Sequence, residues 1–233
     1  MGFFADLFGF GPKTAADYGK RGMAFREKGA FERAVADFSE VIRLDPQLSD
    51  AFFWRGKCYN EKGEFRKAIP DFTEAIRLDP EHDDYTERAF AYIGLGEYDN
   101  AIADCTKAIR LKSGFAAEAY YNRGIAHSQK KDLDKAIADF SELIQAKPMN
   151  WEMSSDGKMN TWLNPLVKHA YNCRGNAYVQ KGEHSKAIAD FTEAIRLDPT
   201  QPIFYECRAS AFRALGEAVK AASDEKKARE LRG

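Results

Sequence analysis

The stretch AFFWRGKCYNEKGEFRKAIPDFTEAIRLDP, running from Ala51 to Pro80, decides the fold. Between Ala51 and Lys62, the residues Phe52, Gly56 and Tyr59 fall on one stripe of a helix. Gly63 then supplies the left-handed conformation that ends a helix. From Phe65 onward, Ala68, Ile69, Phe72, Ala75, Ile76 and Leu78 resume the three-to-four spacing, and Pro80 forbids continuation. The stretch predicts two helices joined by a tight turn. The small Gly56 and Ala68 let them approach closely enough for Phe52, Tyr59 and Phe72 to interlock. One such pair cannot bury its apolar faces alone, so it must stack on others like it.

The chain supplies the others. Ala-Ile-Arg-Leu-Asp-Pro ends segments at Pro80, at Pro199 and, with Val41 in place of the alanine, at Pro46. An alanine stands 12 residues before each of these prolines. That marker continues as Ala34, Ala68, Ala101, Ala136, Ala187 and Ala221, in steps of 34, 33, 35, 51 and 34 residues. The long step predicts an insertion between the fourth and fifth of six units.

The aligned units share an aromatic early in the first helix (Tyr18, Phe52, Tyr85, Tyr120, Tyr171, Tyr205) and a small residue four later (Gly22, Gly56, Ala89, Gly124, Gly175, Ala209). A second aromatic slot holds Phe25, Tyr59, Tyr92, His127, Tyr178 and Phe212. The second helix carries Phe38, Phe72, Phe140 and Phe191, replaced by Cys105 in unit three and Glu225 in unit six. This pattern resembles the tetratricopeptide repeat over about 15–150 and 168–233. The resemblance implies an all-α fold, an α-solenoid (right-handed superhelix) of six helix-turn-helix units. The expected organisation is an apolar segment at 1–14, units at 15–48, 49–81, 82–116 and 117–150, an insertion at 151–167, and two further units with a capping helix at 168–233.

Every unit also carries an Arg–Asp couple 16 residues apart. The arginines are Arg21, Arg55, Arg88, Arg123, Arg174 and Arg208; the aspartates are Asp37, Asp71, Asp104, Asp139, Asp190 and Asp224. Each arginine is placed to meet an aspartate on its own second helix or on a neighbouring unit. Because the couple recurs regardless of position, it reads as a structural ion-pair ladder that sets stacking register rather than as a binding site. Partly exposed pairs contribute about 0.2–1 kcal/mol each, against about 1.5–3 for a buried large apolar side chain. Packing must therefore carry the stability.

The family resemblance implies that first helices line a groove. The corresponding places in this chain include Phe53, Lys57, Asn60, Phe90, Ile93, Tyr121, Ile125, Asn172 and Asn176. The middle of this surface is apolar, which suits a peptide with hydrophobic anchors and amides for its backbone. Burial under the chain's own amino terminus or the insertion is the competing reading. The family's carboxylate clamp is absent in this register, since its places hold Gly19, Met23, Trp54, Asp83 and Glu87, and the two acids would repel a carboxylate.

At the amino terminus, Phe3, Phe4, Leu7 and Phe8 form an apolar cluster interrupted by Asp6. It reads as a cap on unit one, a docking segment for a partner or second copy, or a membrane-surface anchor. In the insertion, Asp156-Gly157 is a hairpin turn signal that would pair Trp151 with Trp162 and Met153 with Asn160, and a plain ordered loop is the alternative reading. Asn164 and Pro165 read as the cap and first residue of the following helix.

Composition excludes other classes. The 233 residues are 44% hydrophobic and 30% charged, with net charge −1, which provides no general attraction to nucleic acid or anionic lipid. The cysteines Cys58, Cys105, Cys173 and Cys207 are scattered, as are the four histidines, so no metal, cofactor or disulfide set is expected. No catalytic motif occurs, and acids and bases recur at repeat period. With no signal peptide or membrane-spanning run evident, a cytoplasmic, non-enzymatic scaffold for a protein or peptide partner is expected, with no nucleic-acid partner. A membrane-peripheral or self-associating scaffold using the Phe-rich terminus is the alternative.

Overall fold

The computed structural model describes residues 14–80, 84–111, 116–145, 151–153, 159–161 and 166–233. Twelve helices lie among the described residues. They are α1 (Ala15–Glu27), α2 (Phe31–Leu44), α3 (Ser49–Glu61), α4 (Phe65–Leu78), α5 (Asp84–Gly94), α6 (Tyr98–Arg110), α7 (Ala116–Gln129), α8 (Leu133–Gln145), α9 (Leu166–Gln180), α10 (His184–Leu197), α11 (Pro202–Ala214) and α12 (Ala218–Arg232). They form six consecutive hairpins of the all-α solenoid class. Three belong to a compact first half, Met1–Phe115, and three to a second, Ala116–Gly233.

Local chemistry sets the boundaries. Thr14 caps α1, its hydroxyl accepting from the Asp17 N–H while the Asp17 carboxylate accepts from the Thr14 N–H. Five of the six helix–helix turns pass through a left-handed glycine, such as Gly63 at φ 71°. The fourth turn places Lys131 there at φ 66°, a conformation that costs a residue with a Cβ about 1–2 kcal/mol. Pro70 sits inside α4 and faces solvent. Its ring removes one backbone hydrogen bond on the wet side while Asp71 and Phe72 stay buried on the other.

In four of the six hairpins a glycine faces an aromatic ring. A Cβ added at Gly22 would come 3.1 Å from Phe38, at Gly56 2.9 Å from Phe72, at Gly124 2.7 Å from Phe140 and at Gly175 2.6 Å from Phe191. The two hairpins without that phenylalanine, with Cys105 and Glu225 in its slot, carry Ala89 and Ala209 instead. The extra methyl is present only where the ring is missing, so steric volume explains both substitutions together.

Stacking joins the hairpins into cores. Cys58 of α3 packs with Ala34 and Phe38 of α2, and Ala91 of α5 packs with Phe72 of α4. In the second half, Ala170 of α9 joins Phe140 of α8, and Ala211 of α11 joins Phe191 of α10. Within each half, the second helix of one hairpin is thus covered by the first helix of the next. Burial pushes the Cys58 thiol pKa up to about 11, leaving it an inert core group.

The insertion contains a two-stranded antiparallel ladder, β1 (Trp151–Met153) with β2 (Met159–Thr161). Its register corrects the sequence expectation. Trp151 pairs with Thr161 rather than Trp162, and Met153 with Met159 rather than Asn160. A two-residue turn at Asp156-Gly157 requires the other pairing. Here residues 154–158 separate the paired methionines, and the one-residue shift exchanges every cross-strand partner. The Asp156-Gly157 turn and the Asn164-Pro165 helix start lie outside the described residues, as does the Phe-rich segment up to residue 13.

Candidate protein-interaction surface

The Arg–Asp couples close within each hairpin. Arg55 Nε and Nη2 donate to Asp71 at 2.8 and 2.7 Å, and the same two-pronged geometry joins Arg21 to Asp37, Arg88 to Asp104, Arg123 to Asp139, Arg174 to Asp190 and Arg208 to Asp224. The remaining Nη1 reaches the preceding hairpin. Arg55 donates to Ser39, Arg88 to Thr73, Arg174 to Ser141 and Arg208 to Thr192. Each of those hydroxyls passes its own proton to the carbonyl four residues back, as Ser141 does to Ile137 at 2.7 Å. One guanidinium therefore ties its own second helix to that of the hairpin before. The aspartate hydrogen bonds hold the Arg55 and Arg174 pKa values above the ordinary range. Each guanidinium also lies against an aromatic of its own first helix, such as Arg174 on Tyr171 at 5.5 Å. With the aspartate fork closed on all six and the third prong engaged in four, these charges hold the stack and are poor ligands for a partner.

The opposite side of the first helices is the candidate surface, and its residues divide by role. Phe53 is only 8% exposed. Its ring meets Trp54 at 4.9 Å and Phe72 at 6.2 Å, both edge-on, so it belongs to the core. Lys57 donates to Glu87 Oε1 at 2.6 Å, and buried Asn60 donates to the Glu87 carbonyl at 3.1 Å. These three hold α3 against α5. Phe90 differs. It lies on the side of α5 turned away from α6 and is 45% exposed. It is supported edge-on by Phe65 at 5.9 Å, whose ring fills the space Gly94 leaves open. Ile93 is half-buried nearby.

In the second half, Tyr121 and Ile125 are half-buried against the Phe140 core. The Tyr121 hydroxyl contacts Cys173 Sγ at 3.8 Å, and burial raises both pKa values. Burial raises the Cys207 thiol pKa, and neighbouring Asn176 offsets part of that rise. Asn172 keeps a buried Oδ1 that accepts no hydrogen bond. His169 lies edge-on to Phe204 at 6.2 Å, and burial lowers its pKa. A further inner position is the residue just before each ladder arginine, of which the sequence reading named Trp54 and Glu87 but not Cys173 and Cys207. Trp54, Glu87, Cys173 and Cys207 occupy it, and each meets the preceding first helix through Arg26, Lys57 and Asn60, Tyr121, and Asn176 respectively. Its adjacency to a periodic arginine was the available signal.

Among the described residues no group of three His, Cys, Asp or Glu could hold a metal ion, and no helix is long and apolar enough to cross a membrane. Stacked helix hairpins tied by a part-buried ion-pair ladder define a helical-repeat scaffold. Family models match along the chain: "TPR repeat" at 22–63 and 175–216, and "Tetratricopeptide repeat" at 49–82 and 86–150. The chain belongs to the tetratricopeptide-repeat family, and its general role is that of a protein-interaction scaffold. No curated protein matches it. Among solved structures, MamA is 26% identical over 76% of this chain and 94% of its own, with a TM-score of 0.62. PilW, a type IV pilus biogenesis factor, is 18% identical, with 91% of each chain covered and a TM-score of 0.77. A tetratricopeptide repeat protein from Parabacteroides merdae is 23% identical over 93% of this chain and 78% of its own, at 0.66. The last two likenesses concern the fold alone.

Proposed function

We propose that the chain binds a peptide segment of a partner protein along the inner sides of its first helices, with Phe90 as an apolar anchor point. The supporting observation is the exposure of Phe90, a large aromatic on a face that stacking does not need to bury. Phe53, Lys57 and Asn60 act by holding the surface rather than by touching the ligand.

Phe90→Ala tests this reading, because truncating a half-exposed side chain leaves the core intact, whereas Phe53→Ala would damage it. Partners cross-linked to the full chain are identified by mass spectrometry and their affinity remeasured. A loss of about 2 kcal/mol, roughly 30-fold, is expected if Phe90 is a central anchor. Undiminished capture by folded Phe90→Ala and Ile93→Ala proteins would remove this surface from the interaction.

A further inference from the structure

The second helices end alike in three hairpins. Glu40, Arg43 and Asp45 mark the end of α2, Glu74, Arg77 and Asp79 that of α4, and Glu193, Arg196 and Asp198 that of α10. In each, the arginine donates to the glutamate one turn before it, at 2.9 Å in α2 and α4 and 2.8 Å in α10. Each of these triplets carries a net charge of −1. At the aligned positions the sequence of the third hairpin has Lys107, Arg110 and Lys112, a net charge of +3. Lys107 and Arg110 share the last turn of α6, and both are exposed. Neither side chain has a hydrogen bond or ion pair among the described residues, whereas Arg43, Arg77 and Arg196 all do.

This arrangement is unfavourable in isolation, because like charges three residues apart on a helix repel. Basic side chains suit a helix C-terminus, but a single arginine serves that purpose on α2, α4 and α10. The second base on α6 takes the place of the glutamate that neutralises the arginine elsewhere. The surroundings leave the pair open. Ala103, one turn earlier on the same stripe, is small and exposed, and Leu111 beside the pair is 38% exposed.

We propose that Lys107, Arg110 and Leu111 form a docking site for an acidic peptide segment of a partner protein, on a second helix and separate from the first-helix surface. Carboxylates of the partner take the part that Glu40, Glu74 and Glu193 play within the chain, and an apolar side chain beside them covers Leu111. A guanidinium and an ammonium one turn apart match two acids on an extended segment. Two observations select a short segment over a broad anionic surface. The unpaired bases are confined to one turn of one helix, and Glu40 and Glu74 hold the equivalent places on α2 and α4. A membrane or a nucleic acid laid across these helices would meet those carboxylates, and the whole chain has a net charge of −1. The inference goes beyond the Phe90 reading and does not rest on it.

The test titrates the isotopically labelled full chain with end-blocked hexaglutamate at low ionic strength and follows the backbone amide shifts. Shifts should concentrate at Lys107, Arg110 and Leu111. Lys107→Glu gives α6 the glutamate–arginine pair of α2, and should weaken binding about tenfold while leaving the rest of the spectrum unchanged. Glu74→Lys should create a second site, with new shifts at the end of α4. Absence of binding, shifts spread over other basic residues, an affinity indifferent to Lys107→Glu, or no second site in Glu74→Lys would overturn the proposal. So would phosphatidylserine vesicles or single-stranded RNA that bind more tightly than the peptide and are released by Lys107→Glu, which would assign the site to those surfaces instead.

Discussion

The glycines that face phenylalanine rings form a graded series on which the packing argument can be tested. Gly→Ala in a helix interior should stabilise by about 1 kcal/mol through backbone entropy. An added methyl that presses on a ring costs about 1–3 kcal/mol when the ring cannot yield. The first contribution is the same at every site. The second rises as the approach shortens, from 3.1 Å at Gly22 through 2.9 Å at Gly56 and 2.7 Å at Gly124 to 2.6 Å at Gly175. Gly22→Ala should be close to neutral, and Gly175→Ala should destabilise its hairpin by about 1–2 kcal/mol. Because a solenoid can unfold by parts, the readout is amide hydrogen exchange within each hairpin, supported by urea denaturation followed at 222 nm. Phe191→Cys reproduces the Ala89/Cys105 pairing of the third hairpin when combined with Gly175→Ala. Alone it costs about 3–5 kcal/mol in lost ring packing, but Gly175→Ala should then turn from destabilising to stabilising. Equal stabilisation at all four glycines, or no change of sign in the Phe191→Cys background, would refute steric control of this pairing.

Further expectations concern the ladder, the turns and acid sensitivity. Arg174→Ala leaves Asp190 buried without its fork and strips Ser141 of its donor, so it should cost about 3–5 kcal/mol. Arg21→Ala should cost less, because Arg21 is 42% exposed against 17% for Arg174 and ties no preceding hairpin; hydrogen exchange of the flanking hairpins checks the ranking. Lys131→Gly should stabilise the fourth hairpin by about 1 kcal/mol, read as a higher urea midpoint. His127 is buried in an aromatic slot, and burial lowers its pKa below the usual 6.5 despite Asp132 at 3.6 Å and nearby Asp139. The unfolded chain therefore takes up the proton first as pH falls. His127 favours folding fully above that range, and stability should drop as pH falls below about 6.5. His127→Phe should flatten that part of the stability–pH profile.

Much of the molecule was legible because each decisive signal is local or periodic. The spacing of Phe65, Ala68, Phe72 and Ala75, with Gly63 before and Pro80 after, states a helix and its limits without reference to the rest of the chain. The Arg55–Asp71 separation recurs in six units, which is how the ladder could be named before its geometry was seen. The inner surface was less legible. Phe53 and Phe90 look alike as aromatics on first helices, yet one is core and the other half-exposed. The difference comes from another helix, α4, whose Phe72 lies in the core against Phe53 while its Phe65 supports Phe90 at the edge. Lys57 and Asn60 look available in sequence, and Glu87 of the next hairpin engages both.

By itself the sequence determined the repeat, the twelve described helices, the glycine-ended turns and the residues of the ladder, since propensity, capping and periodicity act over a few residues. Tertiary structure decided which arginine prong reaches which hairpin, why Ala89 accompanies Cys105, how the Trp151 strand is registered, and that Pro70 can sit inside α4. These depend on distances between elements far apart in the chain. Side-chain volume and hydrogen-bond geometry there override local preference, because a buried ring cannot share its space and a buried charge cannot go without its partner.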